Sequence, residues 1–523
     1  MNIFIFLRFV KYLSNYKQMK PEQKPTKPFF ERYFLKGKNI TPFYWILFIF
    51  YCLLISYTAL NHEQWRDEGN AWMAARDNSF FSLLTWFVPI EGHPPLYYIL
   101  LFPFAKAGAP NWIVNVISVV SMALSMWIIL FRVRMPFYLK LCIVFSYFFL
   151  YEYAVIGRGY CLAMLLLSLI WAVYPKRLER PWLYALLIIL LFNTESLLFI
   201  LAGSLLSLYF FEMIQYKKLD FQHILPVVLM AIGGGYIPIY MGSTIQRADN
   251  AMKSADHGLQ ASRTIEGALF MDNVPATISI VILILLALML LKSYKALYVF
   301  LAGSLSVIYF LSYSYVGTTR HQGLLFTCIL CSYVLAFYYF FAERKEAQVR
   351  TTQYLLFCGS GLLSLVLLAQ NVKGFKSVHN EIMYTYSDAG NSAEFLIDHN
   401  LVQGKLLIGH TAWGGSSLMQ FLPEKTHMYY ASCDRYGTFL YLDSAYIATQ
   451  FRYNGNFGPY TAMTKFKDSL DKVVLIMNLP ITEPALLKDW KQVYSTSDIT
   501  IDNQERYRIY VYKPHPKDRP AIH

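Results

Sequence analysis

Two adjacent carboxylates, Asp67 and Glu68, stand in the run Trp65-Arg66-Asp67-Glu68-Gly69-Asn70-Ala71-Trp72, just past the first long apolar segment. The run His93-Pro94-Pro95-Leu96-Tyr97-Tyr98 follows them. Neighbours on a helix point about 100° apart, so one carboxylate can face a cavity while the other meets scaffold or a cation. A carboxylate held near water-free surroundings suits removal of a proton from a hydroxyl. The same two acids would also favour a helix N-terminus, where the dipole stabilises them. Trp65 and Trp72 read as interfacial anchors or as a wall for a sugar ring to stack on.

The prolines after His93 fix φ and deny helix to the residue before them. That imidazole is either a donor to a phosphate or sugar oxygen or a cap on the next segment. Glu91 and His93, with the acidic pair, form an incomplete oxygen and nitrogen set for a divalent cation. Arg158 lies between two glycines in Ile156-Gly157-Arg158-Gly159-Tyr160, where a guanidinium can grip a phosphate bidentately or snorkel to headgroups. Thr318-Thr319-Arg320-His321-Gln322-Gly323 repeats the pattern, with two adjacent donors beside a glycine suited to an anion. Glu195 follows Asn193-Thr194, where an acid entering the membrane is costly and marks either function or the interface. The stretch 242–272 carries Arg247, Lys253, His257 and Arg263 and reads as a loop, solvated or closing over a phosphate.

The elements that must position these groups are helical. The 523 residues are 56% hydrophobic and 15% charged, and charge clusters between apolar runs of roughly the 20 residues that span a bilayer. Those runs lack period-2 alternation, so they form helices rather than a barrel. The net charge of +13 is scattered in short clusters between spans, as in cytoplasmic loops, which argues against nucleic-acid binding. Tyrosine and phenylalanine, 41 and 39 residues, are mostly membrane belt and core. Six of the seven cysteines lie in apolar runs, only Cys433 outside them. Cys328-x-x-Cys331 is packing within an Ile/Leu-rich helix, not a redox pair. No Walker A, dinucleotide fingerprint or HExxH appears at a usable position.

Spans are expected at 43–60, 112–131, 137–153, 159–174, 182–194, 196–212, 224–241, 275–291, 296–313, 322–341 and 353–370, about 11 in all. The basic clusters at Lys11–Lys38, Arg132–Lys140, Lys176–Arg180, Lys217/Lys218, Lys292/Lys295 and Arg344–Arg350 then face the cytoplasm. This path closes only if the segment from His93 to Ala107, rich in proline, does not cross. The N-terminus is then inside and the C-terminus outside, and the loops with Asp67–Glu68, Arg158, Glu195, residues 242–272 and Arg320–His321 share the outer face. Residues 1–40 read as a basic cytoplasmic segment rather than a cleavable signal peptide, 41–372 as the membrane part with its outer loop at 61–111, and 373–523 as a small extracytoplasmic α/β domain. In that tail Lys405–Ile408, Val473–Ile476 and Tyr507–Tyr512 read as strands, and Asn391–Asn400 as an amphipathic helix beginning near Ser387 or Asp388.

An Asp-Glu pair after the first span, followed by His-Pro-Pro-Leu-Tyr-Tyr, resembles the GT-C superfamily of integral-membrane glycosyltransferases. The similarity is to the branch of protein O-mannosyltransferases and the aminoarabinose transferase of lipid A, over about residues 40–370. Arg158-Gly159-Tyr160 resembles an Arg-x-Tyr stretch of that family, and Arg320-His321-x-Gly resembles bacterial members of unassigned acceptor. The resemblance implies a polyprenyl-phosphate sugar donor, hexosyl or pentosyl, and an outward-facing site in the cytoplasmic membrane. It also implies inversion at the anomeric carbon and Asp67 or Glu68 as base. The acceptor would be a lipid, glycan or protein of the envelope, with His93, Arg158, Tyr160, Arg320 and His321 on the substrates.

The chain departs from the family at Asn111-Trp112-Ile113-Val114-Asn115, where many relatives carry an arginine early in the next span. Phosphate binding then falls to Arg158, Arg320 or the 242–272 loop, unless the substrate differs. Two other classes remain open on the sequence. One is a transporter or flippase of polyprenyl-linked or polar lipids, which would need mid-span charges and two related halves. The other is a non-catalytic subunit of an envelope-assembly complex.

Overall fold

Apolar side chains at helical spacing decide the first element. Ile46, Ile49, Phe50, Leu53, Tyr57 and Leu60 recur along one stripe and are exposed, while Leu47, Tyr51 and Ile55 are buried. In a helix of this length and apolarity such a stripe faces lipid. In the computed structural model, which describes residues 41–242, 256–271, 274–315, 317–342, 349–410, 412–440, 455–497 and 499–513, this helix is α1, Thr41–Asn61. The basic segment 1–40, Arg247, Lys253 and most of the Arg344–Arg350 cluster lie outside the described residues.

After α1 come α2 (Arg66–Asp77), α3 (Leu96–Lys106), α4 (Ile113–Phe131), α5 (Tyr160–Val173), α6 (Pro181–Phe192), α7 (Leu198–Gln215) and α8 (Phe221–Tyr240). They are followed by α9 (His257–Phe270), α10 (Ala276–Met289), α11 (Tyr294–Tyr313), α12 (Thr319–Ala342) and α13 (Val349–Met383). The protein is a polytopic helical membrane protein: among the described residues, 7 helices are long and apolar enough to cross a bilayer, namely α1, α4, α7, α8, α11, α12 and α13. The other expected spans, 159–174, 182–194 and 275–291, are shorter apolar helices. The span expected at 137–153 is broken into a helix over Phe137–Val144 and a π-helical turn over Phe148–Glu152. Phe148, Phe149, Leu150 and Tyr151 of that turn are buried, the setting in which irregular backbone is tolerated in such a protein.

The segment after His93 is short and interrupted by proline. Its helix α3 has 11 residues with Pro103 inside and reaches about 16 Å, short of the roughly 30 Å of hydrocarbon. The last span is the opposite case. α13 runs for 35 residues, about 52 Å, so it extends past the expected end at 370.

The chain divides into two compact units. The first comprises residues 1–51, 123–149 and 163–373. Past its polar first turn, its helix α12 is largely apolar and mostly buried, as suits a central helix. Cys328 and Cys331 pack there, with the Trp171 indole N–H donating to Cys331 Sγ at 3.3 Å, and none of the seven cysteines forms a disulfide. Arg177 and Lys295, expected as solvated loop charges, are buried instead. Arg177 Nε donates to Glu212 Oε2 at 2.6 Å and Lys295 Nζ to Glu212 Oε1 at 3.0 Å, walled by Tyr174, Tyr338 and Tyr339. Buried charges persist when paired in this way.

The second unit comprises residues 52–122, 150–162 and 374–523. Its C-terminal part holds α14 (Ala389–Asp398), β1 (Leu406–Gly409), α15 (Ala412–Met419), β2 (Met428–Tyr430), β3 (Arg435–Gly437), β4 (Val473–Met477), β5 (Trp490–Ser495) and β6 (Arg508–Tyr512). The six strands form one mixed sheet in the order β3-β2-β1-β4-β6-β5. β1 runs parallel to β2 and β4, with Ile408 beside Tyr429 and Leu475. The continuous run Val-Val-Leu-Ile-Met of β4 is buried at every position, as suits a strand covered on both faces. The three strands and the helix read from the sequence of this tail are all present.

Candidate active site

The site is built on the N-terminal turn of α2. Trp65 precedes it in extended conformation, and its backbone N–H donates to Glu68 Oε2 at 3.3 Å. This is the reciprocal half of a capping box, which satisfies a donor the helix start leaves open. The acidic pair therefore does serve a helix N-terminus, and the second acid does so directly.

Glu68 is 0% exposed and is engaged on both oxygens. Oε1 accepts the Gly157 backbone N–H, and Oε2 accepts from His62 Nε2 at 2.8 Å as well as from Trp65. Asp67 is placed differently. Its side chain is 34% exposed and lies 3.5 Å from Arg66 Nε, while its backbone carbonyl accepts from the Arg158 guanidinium at 2.6 Å. The roughly 100° between neighbours on a helix thus separates a partly exposed carboxylate from an enclosed one.

Arg158 is nearly buried. Besides the Asp67 carbonyl it donates through its other terminal nitrogen to His93 Nε2 at 2.6 Å, so His93 accepts here rather than donates. Gly157, beside it, lets the chain pass close to the carboxylate. A Cβ at that position would fall 2.1 Å from Val114 Cγ1 and 2.9 Å from Glu68 Oε1. The Gly157 carbonyl accepts the Tyr97 hydroxyl at 2.7 Å. Tyr160 is buried and stacks on Tyr153 at 5.3 Å between centroids. Trp65 and Trp72, read as anchors or a sugar platform, are both buried in the unit, Trp65 edge-on to Tyr386.

Of the residues singled out in the sequence, Asp67, Glu68, His93, Arg158 and Tyr160 come together in the second unit, whereas Arg320 and His321 belong to the first. There they form the first turn of α12, and His321 Nδ1 accepts from the Thr318 backbone N–H and hydroxyl at 3.1 and 2.9 Å. His321 thus caps its own helix. Glu195 is buried in the turn between α6 and α7. The described part of the 242–272 stretch is helical rather than loop: the Asp256 carboxylate caps α9 through Leu259 N–H, and Arg263 is exposed on it. The cation set suggested around Glu91 does not converge. Glu91 accepts from Asn70 Nδ2 at 3.0 Å and from the Tyr98 hydroxyl, and among the described residues no group of three or more His, Cys, Asp or Glu is placed to hold a metal ion.

Several groups that complete the site carry no local motif. His62 lies between two carboxylates, with Nδ1 on Glu381 Oε1 and Nε2 on Glu68 Oε2, both at 2.8 Å and all three side chains fully enclosed. Burial alone would lower the affinity of its ring for a proton, but Glu68 and Glu381 more than offset that and hold it well above the usual histidine range. Glu381 also accepts the Tyr151 hydroxyl. Glu505 accepts the Arg66 backbone N–H at 2.9 Å, at the first residue of α2, and the hydroxyls of Ser387 and Ser417. Burial pushes its carboxyl up to about 7, against those hydrogen bonds. Glu63 is likewise pushed up to about 7, by burial first. Gln420 Nε2 donates to the Gln64 carbonyl at 3.1 Å, and Leu440 N–H donates to Asn70. His62 stands only six positions before Glu68, a proximity that could have flagged it. Glu381 and Glu505 are distant in sequence and had no such signal.

Taken together, the chain is a polytopic helical membrane protein with an acidic pair on the short helix that follows its first long apolar helix. The structure of ArnT from Cupriavidus metallidurans bound to undecaprenyl phosphate has this fold, with a TM-score of 0.50 at 12% identity over 90% of this chain and 98% of that one. The same protein in the apo state gives 0.44 at 11% identity, over 89% and 97%. No family model and no curated protein matches the sequence.

Proposed function

We propose that the protein is a membrane glycosyltransferase that moves a sugar from a polyprenyl-phosphate donor to an acceptor of the cell envelope. The reaction would take place at the outer face of the cytoplasmic membrane, where the C-terminal α/β part would also lie. The observation that carries this reading is the unequal placement of the acidic pair. The Asp67 carboxylate is partly exposed, while Glu68 is enclosed and engaged on both oxygens. Asp67 is then the base. It takes the proton of the acceptor hydroxyl as that oxygen attacks the anomeric carbon, and polyprenyl phosphate departs from the opposite face with inversion. Arg158 donates to the Asp67 backbone carbonyl and to the His93 imidazole, and its guanidinium would add positive potential for the phosphate that develops charge. The undecaprenyl phosphate bound to ArnT is of the lipid class that such a donor would release, and it supports the choice of donor.

The experiment compares the wild type with Asp67→Asn in bilayer nanodiscs, following polyprenyl phosphate release from a panel of polyprenyl-phosphate sugars. Loss of a general base lowers turnover by about 10²–10⁴-fold, with donor binding retained because the amide keeps the shape of the side chain. Wild-type release by Asp67→Asn would remove the base assignment.

A further inference from the structure

We propose that His62 is a positioning residue for this centre: its imidazole bridges Glu68 and Glu381 and so fixes the first turn of α2, which carries the Asp67 carboxylate. The proposal rests on the glycosyltransferase reading above and concerns a residue that would touch neither donor nor acceptor.

The argument is one of hydrogen-bond supply. Glu68 and Glu381 are enclosed, and each turns an oxygen toward the same ring at 2.8 Å. An ionised carboxylate only accepts, and a neutral imidazole has a single N–H to give. Two carboxylates on one ring are both served only when both ring nitrogens carry protons, and the groups around the ring favour that state. The bridge then joins the end of α13, through Glu381, to the first turn of α2, through Glu68. Asp67 is the residue before Glu68, and its own carbonyl is held by Arg158. A change in the Glu68 rotamer would therefore be transmitted to the Asp67 carboxylate over one peptide unit.

The ring is packed on all sides by groups that bear on its charge. Glu68 reaches it from α2, and Glu381 from α13 with Tyr151 behind it. Glu63 follows it in the chain, and the Tyr386 ring meets it edge-on at 4.8 Å. Once alkaline pH removes one ring proton, Glu68 or Glu381 loses its donor and the turn is released. Turnover should then fall on the alkaline side.

The test uses the full chain in nanodiscs with the same donor panel and compares wild type, Asp67→Asn, His62→Gln and the double variant His62→Gln/Glu381→Gln. Because the double variant removes one buried carboxylate along with the ring charge, it keeps the test open where His62→Gln alone does not fold. The expected result is a kcat at least about 10-fold lower in either histidine variant, with the donor KM within about twofold and the alkaline limb of kcat absent. A folded histidine variant with wild-type kcat and an unchanged alkaline limb would overturn the positioning role while leaving the transferase reading intact. A wild type that releases no polyprenyl phosphate from any donor would overturn the transferase reading itself, and this proposal with it. Binding of a donor to Asp67→Asn without turnover separates those two failures.

Discussion

Neighbouring carboxylates usually compete for the same surroundings, yet Asp67 and Glu68 have been given opposite ones by a single helical step. Glu68 is surrounded by donors, whereas Glu505, also buried, is held mainly by hydroxyls that serve a neutral carboxyl as well as an ionised one. This difference has a consequence for stability. With a folded-state value of about 7 against an ordinary 4.5, Glu505 favours the folded state most when protonated. Its contribution is full below about 4.5, falls as pH rises through the interval, and is gone above about 7. The interval corresponds to about 3 kcal/mol. Glu505→Gln mimics the protonated form, turning its oxygen to the Arg66 N–H and its amide to the two serine hydroxyls. Melting followed from pH 4.5 to 8 should therefore fall less steeply in Glu505→Gln, and the variant should be the more stable above pH 7. Glu63, also at about 7, keeps the remaining slope.

At the scale of elements, α2 is fixed by what presses on its first turn, and Gly157 is the tightest of these contacts. Its N–H serves Glu68 and its carbonyl takes the Tyr97 hydroxyl, so the backbone there has no room to retreat. Gly157→Ala places a methyl against Val114 and the Glu68 carboxylate, an overpacking that costs about 1–3 kcal/mol. It should lower both the melting temperature and polyprenyl phosphate release. Val114→Ala in the same chain should recover part of the stability, because Cγ1 is the nearer obstacle, but not all of it, since the Val114 backbone carbon lies only 3.3 Å away. Full recovery of both would show that Glu68 does not feel the methyl. This level of structure was only partly legible in the sequence. The apolar periodicity of α1 and the unbroken Val-Val-Leu-Ile-Met of β4 announce themselves, because burial selects residue types locally. The acidic pair stood out for a similar reason, as charge where little charge is expected. A run such as 137–153 reads as one span by composition, yet its backbone breaks where protein rather than lipid surrounds it. Arg158 showed its type but not its partners. The His62–Glu381 bridge joins residues 319 positions apart, and no local pattern encodes such a distance.

For the whole molecule, the informative fact is that the second unit draws on three separate stretches, with the C-terminal part among them. The simplest role for such a part of a transferase would be to help select the acceptor. Within the unit it does more: Glu381 serves His62, Glu505 the first N–H of α2, and Gln420 and Leu440 the residues on either side. The two roles separate when water is the only acceptor. A domain that merely selects an acceptor can be removed without affecting transfer of the sugar to water, because the base and the donor site remain. A domain that holds α2 cannot. A chain ending at residue 373, checked for membrane insertion, should therefore lose slow donor hydrolysis as well as transfer, by the same roughly 10²-fold or more that a misplaced catalytic group costs. Hydrolysis persisting at the wild-type rate, with transfer alone lost, would return the C-terminal part to acceptor choice and leave α2 positioned by Arg158 and Gly157 without it.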